Sequence, residues 1–140
     1  MMKKISCLLF LLCLGCAKHA DRSTFTAGIV NQNSLQFKGI NADLLANLRT
    51  DTLSQTEWQT LLPVYRMPAD TDMKDFQNNQ PGKYKLTDSS VIFMADTPFQ
   101  KSQTYFARFY QYHDNSSKWD IFKHGWKSHK AQYTEVVFKP

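Results

Sequence analysis

Cysteine is missing from almost the whole chain, and this absence limits what the protein can be. The 140 residues include three cysteines, Cys7, Cys13 and Cys16, so residues 17–140 contain none. That part of the chain therefore has no disulfide, no thiol nucleophile and no thiolate ligand for a metal ion. Its stability has to come from an apolar core alone.

The first 15 residues are typical of an export signal. Lys3 and Lys4 give a short basic start, and residues 5–14 form an almost unbroken apolar run. A run of about ten residues is too short for a permanent membrane-spanning helix, which needs roughly 20. We therefore interpret residues 1–15 as a signal helix that is cleaved. Its removal leaves 140 − 15 = 125 residues, enough for one domain that buries about two-thirds of its surface.

Gly15 and Cys16 end the apolar run, and a small residue followed by cysteine at this place resembles the bacterial lipobox. The resemblance covers about the first 16 residues, although Cys13 stands where the family usually has leucine. It implies that Cys16 is the lipidation site, carrying palmitate-type acyl chains, and becomes the mature N-terminus. An ordinary secretory signal with incidental cysteines is the alternative.

Residues 16–24 are small and polar, which suits a tether between a lipid and a folded domain. Ala17 lies directly after the cysteine, where an aspartate would retain an enterobacterial lipoprotein in the inner membrane. Asp21 is the only acidic residue nearby, whereas surface-displayed lipoproteins often carry an acidic cluster. The resemblance thus implies a bacterial cell-envelope location, lipid-anchored at the outer membrane and facing the periplasm.

The net charge is small once the signal is removed. Loss of Lys3 and Lys4 leaves 17 − 2 = 15 basic residues against 12 acidic residues, a net charge of +3. These charges are dispersed, with a mild concentration at residues 118–130. A solvated loop is one interpretation, and attraction to an anionic lipid or polysaccharide is the other. No recognition motif for nucleic acid is present, so we expect no nucleic-acid partner.

Residues 82–87, 91–95 and 104–112 predict three successive strands around which the domain is organised. The first alternates apolar and polar residues, as a half-buried strand does. The second is apolar on both faces, which predicts cover on both sides. In the third, Tyr105 and Phe109 share one face, and Phe106, Arg108 and Tyr110 share the other. We expect core packing on the first face and loop cover, rather than a binding platform, on the second.

The remaining elements follow from local signals. Residues 25–30 and 34–37 predict two strands around a turn, Asn41 predicts a helix start, and residues 61–67 and 133–138 predict further strands, the last beside 104–112. Ser54 and Glu57 form a capping box for a second helix. Residues 68–75 hold three Asp but lack the glycine of a calcium-binding loop, so we expect a solvated loop there. The sequence predicts a mainly β antiparallel sandwich of about seven strands with one or two short helices.

The stretch from residue 90 to residue 105 is similar to bacterial Ig-like domains. An apolar strand, the Pro98-Phe99 pair, a turn and Tyr105 opening the next strand make up the pattern, and residues 34–39 resemble an early strand of the same domains. The resemblance implies an Ig-like β-sandwich over residues 25–140. It also implies that the Tyr105 hydroxyl bonds to the backbone upstream. We expect Phe93 and Tyr105 to be core residues on adjacent strands.

Residues 113–132 are the segment in which a specific surface site is expected. It is long for a connection between strands, and such loops are usually functional or disordered. Its aromatic and basic side chains are candidates for partner binding: Trp119, Trp126, Lys123 and Lys127. Its three histidines, His113, His124 and His129, match no metal-binding spacing, so we expect no metal and no cofactor.

These observations predict a non-catalytic, lipid-anchored envelope protein that presents a β-sandwich interaction module. Its partners would be the membrane, through the lipid anchor, and an unidentified envelope protein or glycan. A carbohydrate-binding module that uses Trp119 and Trp126 is one alternative. A small envelope enzyme is another, with acid or base groups from Asp114, Asp120, Glu135 or the histidines, but we predict no catalytic residue.

Overall fold

The computed structural model describes residues 24–111 and 132–140. These residues contain seven strands, two α-helices and one 3₁₀ helix. The strands are β1 (Thr26–Ile29), β2 (Ser34–Lys38), β3 (Val64–Arg66), β4 (Gly82–Leu86), β5 (Val91–Ala95), β6 (Tyr105–Gln111) and β7 (Gln132–Phe138). The helices are α1 (Ala42–Thr50) and α2 (Gln55–Leu61), and the 3₁₀ helix spans Thr71–Phe76. The fold is mainly β, as the sequence predicts.

The strands form two antiparallel sheets. A four-stranded sheet has the order β1-β2-β5-β4 and a three-stranded sheet has the order β3-β6-β7. This is the strand order of a constant-type immunoglobulin sandwich, in which strands A, B, E and D face strands C, F and G. The predicted pairing of the last strand with β6 is confirmed over the whole of β7.

Phe93 and Tyr105 are both core residues, but their predicted placement on adjacent strands is wrong. Phe93 belongs to β5 of the four-stranded sheet and Tyr105 to β6 of the three-stranded sheet. The chain crosses from one sheet to the other after Pro98, which cannot donate to a strand ladder. The two rings meet through Phe99, whose ring centre lies 6.4 Å from Phe93 and 5.0 Å from Tyr105.

The core lies between the two sheets and is rich in aromatic rings. Phe25 precedes β1 and stacks on Phe37 at 5.7 Å and on Phe109 at 5.4 Å, so it joins the two layers. Fully buried core side chains come from both sheets and from the chain before β3: Leu35, Phe37, Leu62, Val64, Val91 and Phe93. Without disulfides, the packing of these side chains supplies the stability.

Both α-helices begin at the capping residues that the sequence predicts. The Asn41 side chain accepts the N–H groups of Asp43 at 2.8 Å and Leu44 at 3.2 Å, which starts α1. At α2, Ser54 and Glu57 form the reciprocal capping box. The Ser54 N–H donates to Oε2 of Glu57 at 2.7 Å, and the Glu57 N–H donates to Oγ of Ser54 at 3.3 Å. These side chains satisfy backbone donors that a helix start leaves unpaired.

Helix α2 packs against the sandwich through Trp58. Its indole stacks on the Tyr84 ring of β4 at 5.5 Å, and the Tyr84 hydroxyl donates to the Leu62 carbonyl oxygen at 2.7 Å. Burial raises the pKa of Tyr84 well above its ordinary value, so this hydroxyl keeps its proton to donate. The connection between β2 and β3 is thereby fixed to the four-stranded sheet.

The predicted cover on both faces of β5 is wrong, because Ile92 is half-buried and Met94 is exposed on its outer face. Residues 68–75 are largely solvent-exposed, as predicted, but residues 71–75 belong to the 3₁₀ helix instead of a loop. This helix begins where Asp70 accepts the N–H of Asp72 at 3.0 Å. Lys74 of this helix contacts the outer face of the three-stranded sheet. The predicted loop cover of that face is therefore present.

Candidate functional site

Arg108 occupies the middle of β6, on the outer face of the three-stranded sheet. It is only 7% exposed, which is unusual for a charged residue. Phe106 and Tyr110 lie two residues away on the same face and are buried with it. A guanidinium in such surroundings needs opposite charges and hydrogen-bond acceptors, because an unpaired buried charge is strongly destabilising.

Two carboxylates bind the Arg108 guanidinium. Its Nη2 atom lies 2.7 Å from Oδ1 of Asp75 in the 3₁₀ helix, and its Nε atom lies 3.1 Å from Oε2 of Glu135. Glu135 is the residue of β7 directly opposite Arg108, and its other oxygen binds the Lys74 ammonium group. We call Lys74, Asp75, Arg108 and Glu135 the outer-face cluster. Its formal charges sum to zero.

Aromatic rings line the outer-face cluster. The Arg108 guanidinium lies 5.2 Å from the ring centre of Phe106 and 4.6 Å from that of Tyr133 on β7. The Lys74 ammonium lies 4.7 Å from the Phe106 ring centre. Cations over aromatic faces are attracted by the ring quadrupole. The same two cations therefore join the 3₁₀ helix to the sheet by charge and by ring contact.

The local environment keeps Arg108 of the outer-face cluster and the neighbouring Tyr65 protonated. Burial of the guanidinium acts to lower the pKa of Arg108, but hydrogen bonds to Asp75, Glu135 and Tyr110 outweigh it and hold the pKa above its ordinary value. On the adjacent strand, burial and then the neighbouring Tyr110 raise the pKa of Tyr65 to about 12. At neutral pH, Tyr65 is thus a neutral phenol and not a base.

The ion pairs of the outer-face cluster hold a cover in place over the sheet. Each of its cations is bound to a carboxylate, and each carboxylate to a cation. Among the described residues, no group of three or more His, Cys, Asp or Glu is arranged to hold a metal ion. The cluster fixes the 3₁₀ helix over Phe106.

The point where the chain enters the sandwich lies at the same end as several connections. Thr24 approaches Gly39 so closely that a Cβ on Gly39, where φ is +80°, would lie 2.2 Å from the Thr24 carbonyl oxygen. Phe25 reaches Phe109 near the end of β6, as described above. Gln111 then pairs with Gln132, so the end of β6 and the start of β7 lie there together. We call this side of the molecule the entry end.

Two further connections belong to the entry end. Helix α1 begins three residues after Gly39, and Arg49 near its end donates from Nη2 to the carbonyl oxygens of Thr87 at 3.0 Å and Asp88 at 2.6 Å. These carbonyls belong to the turn between β4 and β5. In variable immunoglobulin domains the B–C and F–G connections, which correspond to β2–β3 and β6–β7 here, form binding loops at one end.

The predicted binding and lipidation residues lie outside the described residues. This holds for Cys16, for Trp119, Lys123, Trp126 and Lys127, and for the three histidines of residues 113–132. The two residues predicted to have a structural role, Phe93 and Tyr105, lie within the described residues. Phe93 is completely buried, and the Tyr105 hydroxyl accepts the Gln100 N–H at 3.0 Å, the upstream backbone bond that the resemblance implies.

The outer-face cluster is not evident from local sequence patterns. Those patterns place Arg108 on the outer face, predict a solvated loop for Lys74 and Asp75, and offer Glu135 only as a candidate acid or base. One signal was available. A basic residue between Phe106 and Tyr110, on a face expected to be covered, requires an acidic partner from the cover and from the neighbouring strand.

Comparison of the chain with protein-family models, with curated proteins and with solved structures gives no match. Within the described residues, no helix has the length and apolar character required to cross a membrane. The immunoglobulin-type strand order therefore stands as a statement about architecture, and a fold alone does not assign a function.

Proposed function

We propose that the protein is a non-catalytic, lipid-anchored component of the bacterial envelope whose entry end binds an envelope protein or glycan. Cys16 would carry the lipid, at the periplasmic side of the outer membrane. Residues 113–132 would supply the contacts, chiefly through Trp119, Trp126, Lys123 and Lys127. The observation that carries this proposal is that Thr24 and the paired residues Gln111 and Gln132 lie at one end of the sandwich.

A short tether would keep the entry end close to the membrane. Seven residues, 17–23, separate the proposed lipidated cysteine from Thr24. A fully extended chain spans about 3.3–3.6 Å per residue, so the entry end stays within about 25 Å of the lipid surface. The segment of residues 113–132 is therefore kept near the membrane and whatever lies on it. A module that collects a distant ligand has no need of this arrangement.

The chemistry of the segment suits a polar, anionic partner. Tryptophan and lysine together combine apolar contact area with positive charge, and tryptophan is enriched at the energetic centres of interfaces. Lysines near an anionic lipid or polysaccharide also gain long-range attraction that weakens with salt. A non-catalytic role agrees with the outer-face cluster, in which each charged group is bound to an opposite charge.

A carbohydrate-binding module is the second candidate. It is favoured by the two tryptophans, because aromatic faces stack on sugar rings. The two candidates differ in what is captured. Affinity capture and crosslinking from the native envelope would return one or a few proteins in the first case. Retention on purified envelope polysaccharide, released by free sugar, would indicate the second.

Tryptophan substitutions test the proposal directly. Trp119→Ala and Trp126→Ala are compared with Phe76→Ala, a matched control because Phe76 is an exposed aromatic residue of the 3₁₀ helix and lies outside residues 113–132. We expect at least one tryptophan variant to reduce capture of the envelope partner about tenfold or more without lowering the melting temperature, while the control keeps full capture. Unchanged capture by both tryptophan variants, or equal loss in the control, contradicts the proposal.

A further inference from the structure

The two sheets end in four edge strands, and three of these are protected against pairing with another chain. Strand β4 carries Lys83 and Lys85, both exposed. Strand β3 has three residues, and its free side is covered where Gln80 donates its N–H to the Val64 carbonyl oxygen at 2.7 Å. Strand β1 is only four residues long. Charged side chains, cover and short length are the usual protections of a sheet edge.

Strand β7 has neither the charged side chains nor the short length that protect an edge, and β1, which packs beside it, forms no backbone ladder with it. Strand β7 is seven residues long, contains no lysine or proline, and exposes Tyr133 by 46% and Val137 by 52%. Its one charged residue, Glu135, is neutralised by Arg108 and Lys74. Within residues 24–111 and 132–140, β7 forms backbone hydrogen bonds with β6 alone. A long, uncharged edge with unpaired backbone groups is a template for strand addition.

The ladder shows which backbone groups of β7 face the open edge. In an antiparallel strand the N–H and C=O of one residue point to the same side, and successive residues alternate. The Arg108 N–H donates to the Pro63 carbonyl oxygen at 3.1 Å, towards β3 and away from β7. Glu135, which faces Arg108, therefore points its backbone away from β6. Tyr133 and Val137 do the same, since each is two residues from Glu135.

We propose that β7 is a self-association edge, at which two copies of this chain pair antiparallel about a two-fold axis at Glu135. In this register Glu135 faces its own copy, and Tyr133 faces Val137 of the partner subunit. The result is three facing pairs that exchange two hydrogen bonds each. Every outward backbone group of these three residues is then paired. The three-stranded sheet becomes one continuous sheet across the dimer.

The side chains of β7 select this register. Tyr133 and Val137, both half-exposed and apolar in one copy, meet across the two-fold axis, and aromatic–β-branched pairs of this kind stabilise antiparallel strands. A shift of two residues in either direction leaves outward groups of Tyr133 or Val137 with no facing residue of β7. Closed two-fold pairing also uses the same surface on both copies, as most soluble homodimers do.

Charge decides whether a second copy is tolerated. Two glutamates directly opposite each other would normally destabilise the pair of strands. Here Lys74 and Arg108 bind both carboxylate oxygens of Glu135, so each copy brings a neutral outer-face cluster to the axis. The structure thus removes the one repulsion that would oppose self-pairing of β7.

This inference does not depend on the proposed function, because it rests on the backbone edge of β7 from Tyr133 to Val137 and not on residues 113–132. It has a geometric consequence for a lipid-anchored protein. Antiparallel pairing directs the two entry ends to opposite sides, so both tethers reach one membrane when the strands lie along its surface. Tethers of seven residues, spanning about 25 Å, allow this arrangement.

Paired cysteines test the register in the full chain. We expect the double variant Tyr133→Cys with Val137→Cys to form a disulfide-linked dimer after mild oxidation in cells, because facing Cα atoms in a hydrogen-bonded pair lie about 5.5 Å apart. Each single variant should give no such dimer, because its cysteine faces a residue without a thiol. The singles also control for the cysteines of the leader. A double variant that stays monomeric, or that crosslinks to a different protein, overturns the proposal.

Lysine substitutions test the edge without new cysteines. Two differently tagged copies of the full chain are expressed together, and co-purification is measured. Val137→Lys should reduce co-purification at least tenfold, because it places a charge beside the axis. Val30→Lys is the matched control, since Val30 is 55% exposed and lies in the turn after β1. Failure of the unsubstituted copies to co-purify, or equal loss with Val30→Lys, overturns the proposal. If Val137→Lys does not fold, the cysteine pair decides.

Discussion

Phe93 lies at the centre of the core, with its ring 4.9 Å from that of Tyr84 and 6.4 Å from that of Phe99. Phe93→Ala removes most of a completely buried side chain and leaves a cavity, so we expect the free energy of unfolding to fall by about 3–5 kcal/mol. Met94→Ala is the control on the exposed face of the same strand, with an expected change within about 0.5 kcal/mol. Urea denaturation measures both, and equal midpoints would contradict the burial of Phe93.

Tyr105 contributes through its ring and through one hydrogen bond. Tyr105→Phe keeps the ring contacts but leaves the Gln100 N–H without its acceptor. We expect a loss of about 0.5–1.5 kcal/mol in the free energy of unfolding, measured by urea denaturation. Tyr133→Phe, at an exposed position, should change it little. A Tyr105→Phe protein as stable as the wild type would show that the bond contributes nothing.

Ionisation of Tyr65 is expected to lower the stability of the folded state at alkaline pH. Its folded-state pKa of about 12 lies above the ordinary value of about 10, so the folded state binds this proton more tightly than the unfolded state. Its contribution to stability is full below pH 10 and is lost as the pH rises towards 12. Tyr65→Phe removes that loss, so its stability should fall less steeply than that of the wild type above pH 10. Urea denaturation at several pH values measures this, and parallel curves would disprove it.

At the scale of the element, the 3₁₀ helix depends on two carboxylates that are not equivalent. The Glu135 side chain is 23% exposed and binds two cations, whereas the Asp75 side chain is 71% exposed and binds Arg108 alone. We expect Glu135→Ala to lower the free energy of unfolding by about 3 kcal/mol, because it leaves the buried Arg108 with a single carboxylate partner. Asp75→Ala should cost about 1 kcal/mol, since exposed ion pairs contribute little.

The control for this comparison is Asp72→Ala, because Asp72 is exposed in the same 3₁₀ helix and forms no ion pair among the described residues. Its expected change is within about 0.5 kcal/mol. Chemical denaturation ranks the three variants. If Asp75→Ala is as costly as Glu135→Ala, the assignment of Glu135 as the central partner is incorrect.

The elements themselves were largely readable from the sequence, because their signals are local. Asn41 and Ser54 cap helices within three residues of themselves, and the alternation from Lys83 to Thr87 lies within one strand. The outer-face cluster was not readable for the opposite reason. Lys74 and Glu135 are 61 positions apart in the chain, and only the folded sheet brings them together. Predicting their contact requires the strand order, which local patterns do not contain.

At the scale of the whole molecule, the count of strands was predictable and their division between sheets was not. Strands β5 and β6 follow each other in the chain, so local reading placed Phe93 beside Tyr105. The structure instead uses the turn after Pro98 to change sheets, which puts the two residues in opposite layers. The same crossovers gather the first described residue, Thr24, and the bases of the β2–β3 and β6–β7 connections at the entry end.

Lipidation of Cys16 is the prediction on which the orientation of the whole molecule depends. Two acyl chains bury many methylenes at about 0.8 kcal/mol each, which gives stable membrane attachment where a single chain does not. In a bacterial host, Cys16→Ser should abolish incorporation of labelled palmitate and move the protein from the detergent phase to aqueous or uncleaved material. Cys13→Ser is the matched control and should incorporate label as the wild type does. Labelled palmitate on the Cys16→Ser protein would place the lipid elsewhere, and the entry end would then lose its fixed relation to the membrane.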